Sequence, residues 1–215
     1  MQRFVKATAD GSSTVFIANT DVSFHSRHGA MQESMHVFIH AGLLPALAKK
    51  QTLKIFEMGF GTGLNLFLTM KALAAFPDHS IVYHAIEKYP LSSELIAQLE
   101  FQDIDQSLIN TVHQSDSGSL DHVSWKVHRN IDLLDFHSTE TFDLVYFDAF
   151  APGYQPELWT TNVFSKLFNM MNSDTALVTY CAKGQVKRNL RAAGFVVESI
   201  PGPPGKREMT RALKA

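Results

Sequence analysis

Leu53-Lys54-Ile55-Phe56-Glu57-Met58-Gly59-Phe60-Gly61-Thr62-Gly63 is a short apolar run that ends in a carboxylate and three alternate glycines, then opens an apolar-periodic segment. It reads as strand, tight turn and helix. Gly59, Gly61 and Gly63 remove Cβ atoms where a chain leaving a sheet takes unusual dihedrals and where a ligand touches backbone. A dinucleotide fingerprint, Gly-x-Gly-x-x-Gly, would place its third glycine at position 64, where this chain has Leu64. The spacing argues against NAD.

The next apolar run, Ser80-Ile81-Val82-Tyr83-His84-Ala85-Ile86-Glu87, ends in a second acid. In a doubly wound sheet the ends of the first two strands lie side by side, so Glu87 is placed to accept both hydroxyls of a ribose. Glu57 can take another polar group of the same ligand. A cationic nucleoside with an amino acid tail and no pyrophosphate, such as S-adenosylmethionine, suits this turn better than a diphosphate. The competing reading is a glycine turn that serves geometry alone.

The 215 residues, 45% of them apolar, fit one globular domain over 1–215, with no repeat or low-complexity stretch. The opening Met1-Gln2-Arg3-Phe4-Val5-Lys6 resembles neither a signal nor a transit peptide, and no apolar run reaches the length of a membrane span. A cytoplasmic protein without membrane contact is expected. Cys181 is the only cysteine, which leaves no internal disulfide and no cysteine cluster for zinc. The formal charge of −2 is unevenly spread: from Lys183 onward there are eight basic residues against Glu198 and Glu208. Such a segment can hold nucleic-acid phosphates. It can equally be a solvated helix face and a lysine-protected edge strand.

Two alternating runs around Asp10-Gly11-Ser12 predict an N-terminal β-hairpin. A helix follows from Met31 and is expected to end at Gly42 with a glycine cap. Hairpin and helix form an appendage over 1–45, ahead of a Rossmann-like core over 50–215. His36 and His40 lie four apart with Glu33 one turn earlier, but the His-Glu-x-x-His pattern and a third ligand are missing, so no metal is expected.

Strands and helices then alternate, with residues 101–120 read as a short helix and a loop. Asn130 or Asp132, where the third strand ends beside the nucleotide, can bond adenine. The strand Phe142-Asp143-Leu144-Val145-Tyr146-Phe147 delivers Asp148 at its carboxyl end, where ligands of such sheets bind. An Asp there can orient an amine nucleophile and take its proton, while Phe150 and Pro152 shape a slot for a flat base. A helix cap is the other use for Asp148. The chain closes with two strands joined by Pro201-Gly202-Pro203-Pro204-Gly205, an antiparallel hairpin. The fold class expected is α/β, a mostly parallel seven-stranded sheet whose closing hairpin resembles that of class I S-adenosylmethionine-dependent methyltransferases.

Several blocks carry a family resemblance. They are Ser26-x-x-Gly29-x-x-Gln32-Glu33-Ser34, Glu57 to Asn65, Glu87-Lys88-Tyr89-Pro90-Leu91, Asp148-Ala149-Phe150-Ala151-Pro152, Pro156-Glu157-Leu158-Trp159-Thr160 and Lys206-Arg207-Glu208-Met209. Together they resemble the MnmC/MnmD methyltransferase family, which completes 5-methylaminomethyl-2-thiouridine at the wobble position of bacterial tRNA. The resemblance implies a tRNA partner and transfer of one methyl to the primary amine of 5-aminomethyl-2-thiouridine. It implies that Glu57, Gly59, Gly61 and Gly63 hold the methionine end of S-adenosylmethionine, Glu87 the ribose and Asp148 the amine. Lys206 and Arg207 would lie near the substrate and Glu33 beside the cofactor pocket. Where the family carries a Gly-Asp pair this chain has Asn130-Ile131-Asp132, which leaves the adenine contact open. The flavin-dependent domain of the fused proteins is absent from this sequence, so no flavin is expected, and separate enzymes would have to make the aminomethyl precursor.

Rival readings are a small-amine methyltransferase or aminopropyltransferase on the same fold, and a non-catalytic RNA-binding protein. Saturation by a free polyamine would favour the first, and failure to bind the cofactor would favour the second.

Overall fold

Eight strands pair into one sheet, and the order in which they pair decides where a ligand can enter. The computed structural model describes residues 2–215. After a two-stranded antiparallel hairpin of β1 (Arg3–Ala7) and β2 (Ser13–Ile17), the main sheet runs in the order β5 (Ser117–Leu120), β6 (Val123–Arg129), β4 (Ser80–Glu87), β3 (Thr52–Met58), β7 (Phe142–Phe147), β8 (Met171–Thr179), β10 (Glu208–Lys214), β9 (Val196–Pro201). Strands β6, β4, β3, β7 and β8 are parallel, and β10 is antiparallel to both β8 and β9. The seven strands expected from sequence are therefore joined by a short eighth. β5 pairs antiparallel with β6 at the edge, inside the stretch expected to be a helix and a loop.

The parallel strands are apolar on both faces because helices cover both. Period-two alternation divides each strand between two apolar clusters: Leu53, Ile55, Leu144 and Tyr146 belong to one, and Phe56, Met58, Val145 and Phe147 to the other. The first cluster takes in α3 (Leu64–Leu73) and the helix formed by α1 (Ala30–Ser34), a π-helical segment (Met35–Leu43) and α2 (Leu44–Leu47). It also receives α4 (Ser93–Ile96) and α5 (Gln106–Gln114). The second is covered by α6 (Thr161–Asn169) and α7 (Gly184–Ala192).

The helix expected to stop at Gly42 continues to Leu47. Gly42 is buried in its interior, and a Cβ there would stand 3.0 Å from Val178 Cγ2. This glycine lets the helix approach the sheet rather than ending it. Among the described residues no helix is long and apolar enough to cross a membrane.

Candidate active site

β3, β4 and β7 are adjacent and parallel, so their carboxyl ends meet at one edge of the sheet, where a cleft opens. Its empty space, open mouth included, is about 850 Å³. The turn after β3 forms its floor. Gly59, Gly61 and Gly63 all have positive φ, at 91°, 53° and 76°. At Gly59 a Cβ would lie 2.6 Å from the carbonyl oxygen of Asp148, so only glycine lets the two strand ends approach this closely. The Asp148 N–H donates to Met58 O at 3.0 Å across the same seam.

Glu87, at the end of β4, faces the cleft and fastens the turn. Its Oε2 accepts the Gly61 N–H at 2.9 Å and its Oε1 accepts the Tyr89 N–H at 2.7 Å. Asp132 also lines the cleft; it accepts Lys88 Nζ at 2.7 Å and the Leu134 N–H at 2.9 Å. Burial pulls its pKa up, but these two donors hold it below the usual carboxylate range. Asn130 is exposed in a left-handed turn at φ 59° and does not line the cleft. Of the two candidates for adenine, Asp132 is the one facing the cleft.

Residues 57 and 148 share a sheet face. Glu57 pairs in register with Tyr146, and Asp148 lies two residues beyond Tyr146, on the side that α3 covers. Asn65, 2% exposed in the first turn of α3, joins the two carboxylates: its Nδ2 donates to Glu57 Oε1 at 2.8 Å and to Asp148 Oδ2 at 3.0 Å. Glu57 is fully buried, and burial holds its pKa well above the usual range. It lies behind the cleft and communicates with it through Asn65. Asp148 is in the lining, and burial, with Glu33 adding to it, pushes its pKa up to about 7 against the pull of Asn65 and Lys206.

Glu33 and Lys206, far apart in sequence, form an ion pair in which the Glu33 carboxylate is nearly buried. Lys206 Nζ also lies 4.5 Å from the centre of the Tyr180 ring, and the Tyr180 hydroxyl donates to Ala149 O at 2.8 Å. The pair lies within electrostatic reach of Asp148, outside the cleft lining itself. Arg207 is exposed beside it.

Phe150 is part-buried in the lining and meets Phe24 edge-on, with ring centroids 5.2 Å apart; Pro152 is half-buried in the same loop. Phe24 also covers Gly61, and Arg3 lies over Phe24. The N-terminal region thus contributes Arg3, Phe24 and His25 to the cleft wall, where sequence reading placed only Glu33 near the pocket. Burial pushes His25 down to about 4, which keeps it neutral. Asn65, Phe24 and Tyr180 went unassigned from sequence. An Asn among the apolar residues of the first turn of α3 is the one visible signal among them.

The basic C-terminal stretch is less free than its sequence implies. Lys187 pairs with Glu208, Lys206 with Glu33 and Arg211 with Glu198, while Lys214 donates to two carbonyls. His36, one of the metal-spaced histidines, bonds to Pro201 O at 2.9 Å.

Comparison with known proteins places these features in context. The profile of a family described as S-adenosyl-L-methionine-dependent methyltransferase matches residues 79–215. A tRNA 5-methylaminomethyl-2-thiouridine biosynthesis bifunctional protein, MnmC, of Pseudoalteromonas atlantica is 32% identical over 98% of this chain and 33% of its own length. The protein of the same name from Cupriavidus necator is 33% identical over 89% of this chain and 32% of its own length. The chain thus spans about a third of the curated relatives it matches. The crystal structure of MNMC2 from Aquifex aeolicus superposes with a TM-score of 0.86 at 25% identity, over 99% of this chain and 70% of that one.

Proposed function

The chain belongs to the S-adenosyl-L-methionine-dependent methyltransferase family, and from that premise we propose that it methylates the primary amine of 5-aminomethyl-2-thiouridine at the wobble position of tRNA, giving 5-methylaminomethyl-2-thiouridine. The observation that carries this reading is Asp148: a carboxylate at a strand's carboxyl end, in the cleft lining, held near neutrality by burial. Similarity to the MnmC proteins, named for tRNA 5-methylaminomethyl-2-thiouridine biosynthesis, supports a tRNA substrate.

The cleft fits the cofactor. Glycine at 59 keeps the floor open to backbone contact, and Glu87 has spent one N–H bond on each oxygen, leaving lone pairs for two ribose hydroxyls. Gly59, Gly61 and Gly63 would hold the methionine end, with Glu57 supporting it from behind through Asn65. Asp132 is in the cleft for the adenine end. When bound, S-adenosylmethionine supplies a methyl group on a positively charged sulfur, which departs as a neutral thioether once the amine nitrogen has taken the methyl.

Asp148 has the remaining task. An amine attacks only through a free lone pair, and an aminomethyl group arrives largely as its ammonium. Asp148 accepts that proton, and a base with a pKa near the working pH is suited to it. Phe150 and Pro152 flank the base, and Lys206 and Arg207 stand where the RNA approaches. The acceptor must already carry an aminomethyl group, so other enzymes supply it, and the reaction runs in the cytoplasm with the tRNA pool.

Competition tests this reading. Undermodified tRNA should be the methyl acceptor, with an apparent affinity that falls steeply with salt. Saturation by free polyamines, with tRNA left unlabelled, would overturn it in favour of a small-amine enzyme.

A further inference from the structure

Asn65 offers one nitrogen to two carboxylates. Both bonds, to Glu57 Oε1 and to Asp148 Oδ2, start from Nδ2, and Asn65 Oδ1 is buried with no partner among the described residues. The reverse orientation would set the amide oxygen against two carboxylate oxygens, so the donors fix the amide. Few residue types serve here: Leu would leave both acids without the amide donor, and Asp would set a third carboxyl against two that burial already disfavours as anions.

Resting on the methyl transfer proposed above, we propose that Asn65 is the positioning residue for Asp148: its amide ties the Asp148 carboxylate to buried Glu57 and keeps the second Asp148 oxygen turned to the cleft, where it takes the amine proton. The other ionisable groups around Asp148 do not duplicate this. Glu33, from the long helix, repels it, and Lys206, from the β9–β10 loop, is already paired with Glu33. Tyr83 and Tyr180 lie within electrostatic reach of it. The Tyr180 hydroxyl is donated to Ala149 O. The Tyr83 hydroxyl is turned toward Glu57 rather than Asp148. Asn65 is the neighbour that donates a hydrogen bond to Asp148.

The test replaces Asn65 by Ala, with Asn65→Ser as a second variant that keeps a polar group in the same space should the first fail to fold. Titration of the Asp148 carboxyl carbon, followed by NMR in the free protein, should move upward by about one pH unit, the size of one hydrogen bond to a charged group. The acid limb of kcat should move with it, and in an Asp148→Asn background the Asn65 change should add nothing. An unchanged titration, or a loss of turnover that is uniform across pH and additive with Asp148→Asn, overturns the proposal. The NMR titration needs no substrate, so it decides the role of Asn65 even if the wild-type protein leaves tRNA unmethylated, a result that would defeat the functional reading alone.

Discussion

Glu87 Oε2 accepts the backbone N–H of Gly61 at 2.9 Å, which fastens the end of β4 to the glycine turn after β3. One carboxylate thus shapes the cleft floor and presents its remaining lone pairs to a ligand. Glu87→Ala should weaken S-adenosylmethionine binding by about tenfold to a hundredfold, as expected for hydrogen bonds to a charged group. Calorimetric titration of the purified variant checks this. Glu87→Gln, which retains an acceptor, should fall between the two.

Gly59→Ala should do more harm than its size suggests. The residue has φ 91°, and the new methyl would meet the Asp148 carbonyl oxygen at 2.6 Å. Strain of this kind costs about 1–3 kcal/mol, which denaturant unfolding would detect. Cofactor binding should fall as well, because relief of the clash would push the turn away from β7.

The Asp148 carboxyl sets a pH dependence in two observables. Turnover should have an acid limb near the value of about 7 to which burial, with Glu33, pushes this group. For stability, the folded value of about 7 lies above the unfolded 3.8, so the native state binds the extra proton between them. The penalty is absent below the lower value, grows as pH rises between the two, and is complete above the upper one. Asp148→Asn removes the charge, so at about pH 8 it should melt a few degrees higher than wild type while losing activity. Thermal melts across the neutral range read the sign.

Gly42→Ala tests the helix that runs past its expected stop. The added methyl would stand 3.0 Å from Val178 Cγ2 in the packed interface between helix and sheet. Overpacking there should cost about 1–3 kcal/mol and leave cofactor affinity unchanged, since Gly42 lies outside the cleft.

These cases show what was legible in the chain. Gly59, Glu87 and Asp148 could be placed from sequence because each stands at the end of an apolar run, and strand ends define the ligand edge of such a sheet. Gly42 misled because a helix-ending glycine and one admitting close packing look alike until the partner surface is known. β5 was missed because Ser117-Gly118-Ser119-Leu120 has no apolar alternation, and its pairing with β6 is a tertiary fact. Asn65, Lys206 and Glu33 join residues 83 and 173 positions apart, a separation no local pattern reports. Of the eight basic residues from Lys183 onward, Lys187, Lys206 and Arg211 are paired with carboxylates and Lys214 is turned to carbonyls.

The most direct measurement incubates the purified protein with labelled S-adenosylmethionine and tRNA from cells that lack this gene, then digests the tRNA and separates its nucleosides. The account predicts label in 5-methylaminomethyl-2-thiouridine. Label in another nucleoside, or none in tRNA from a protein that binds the cofactor, would contradict it.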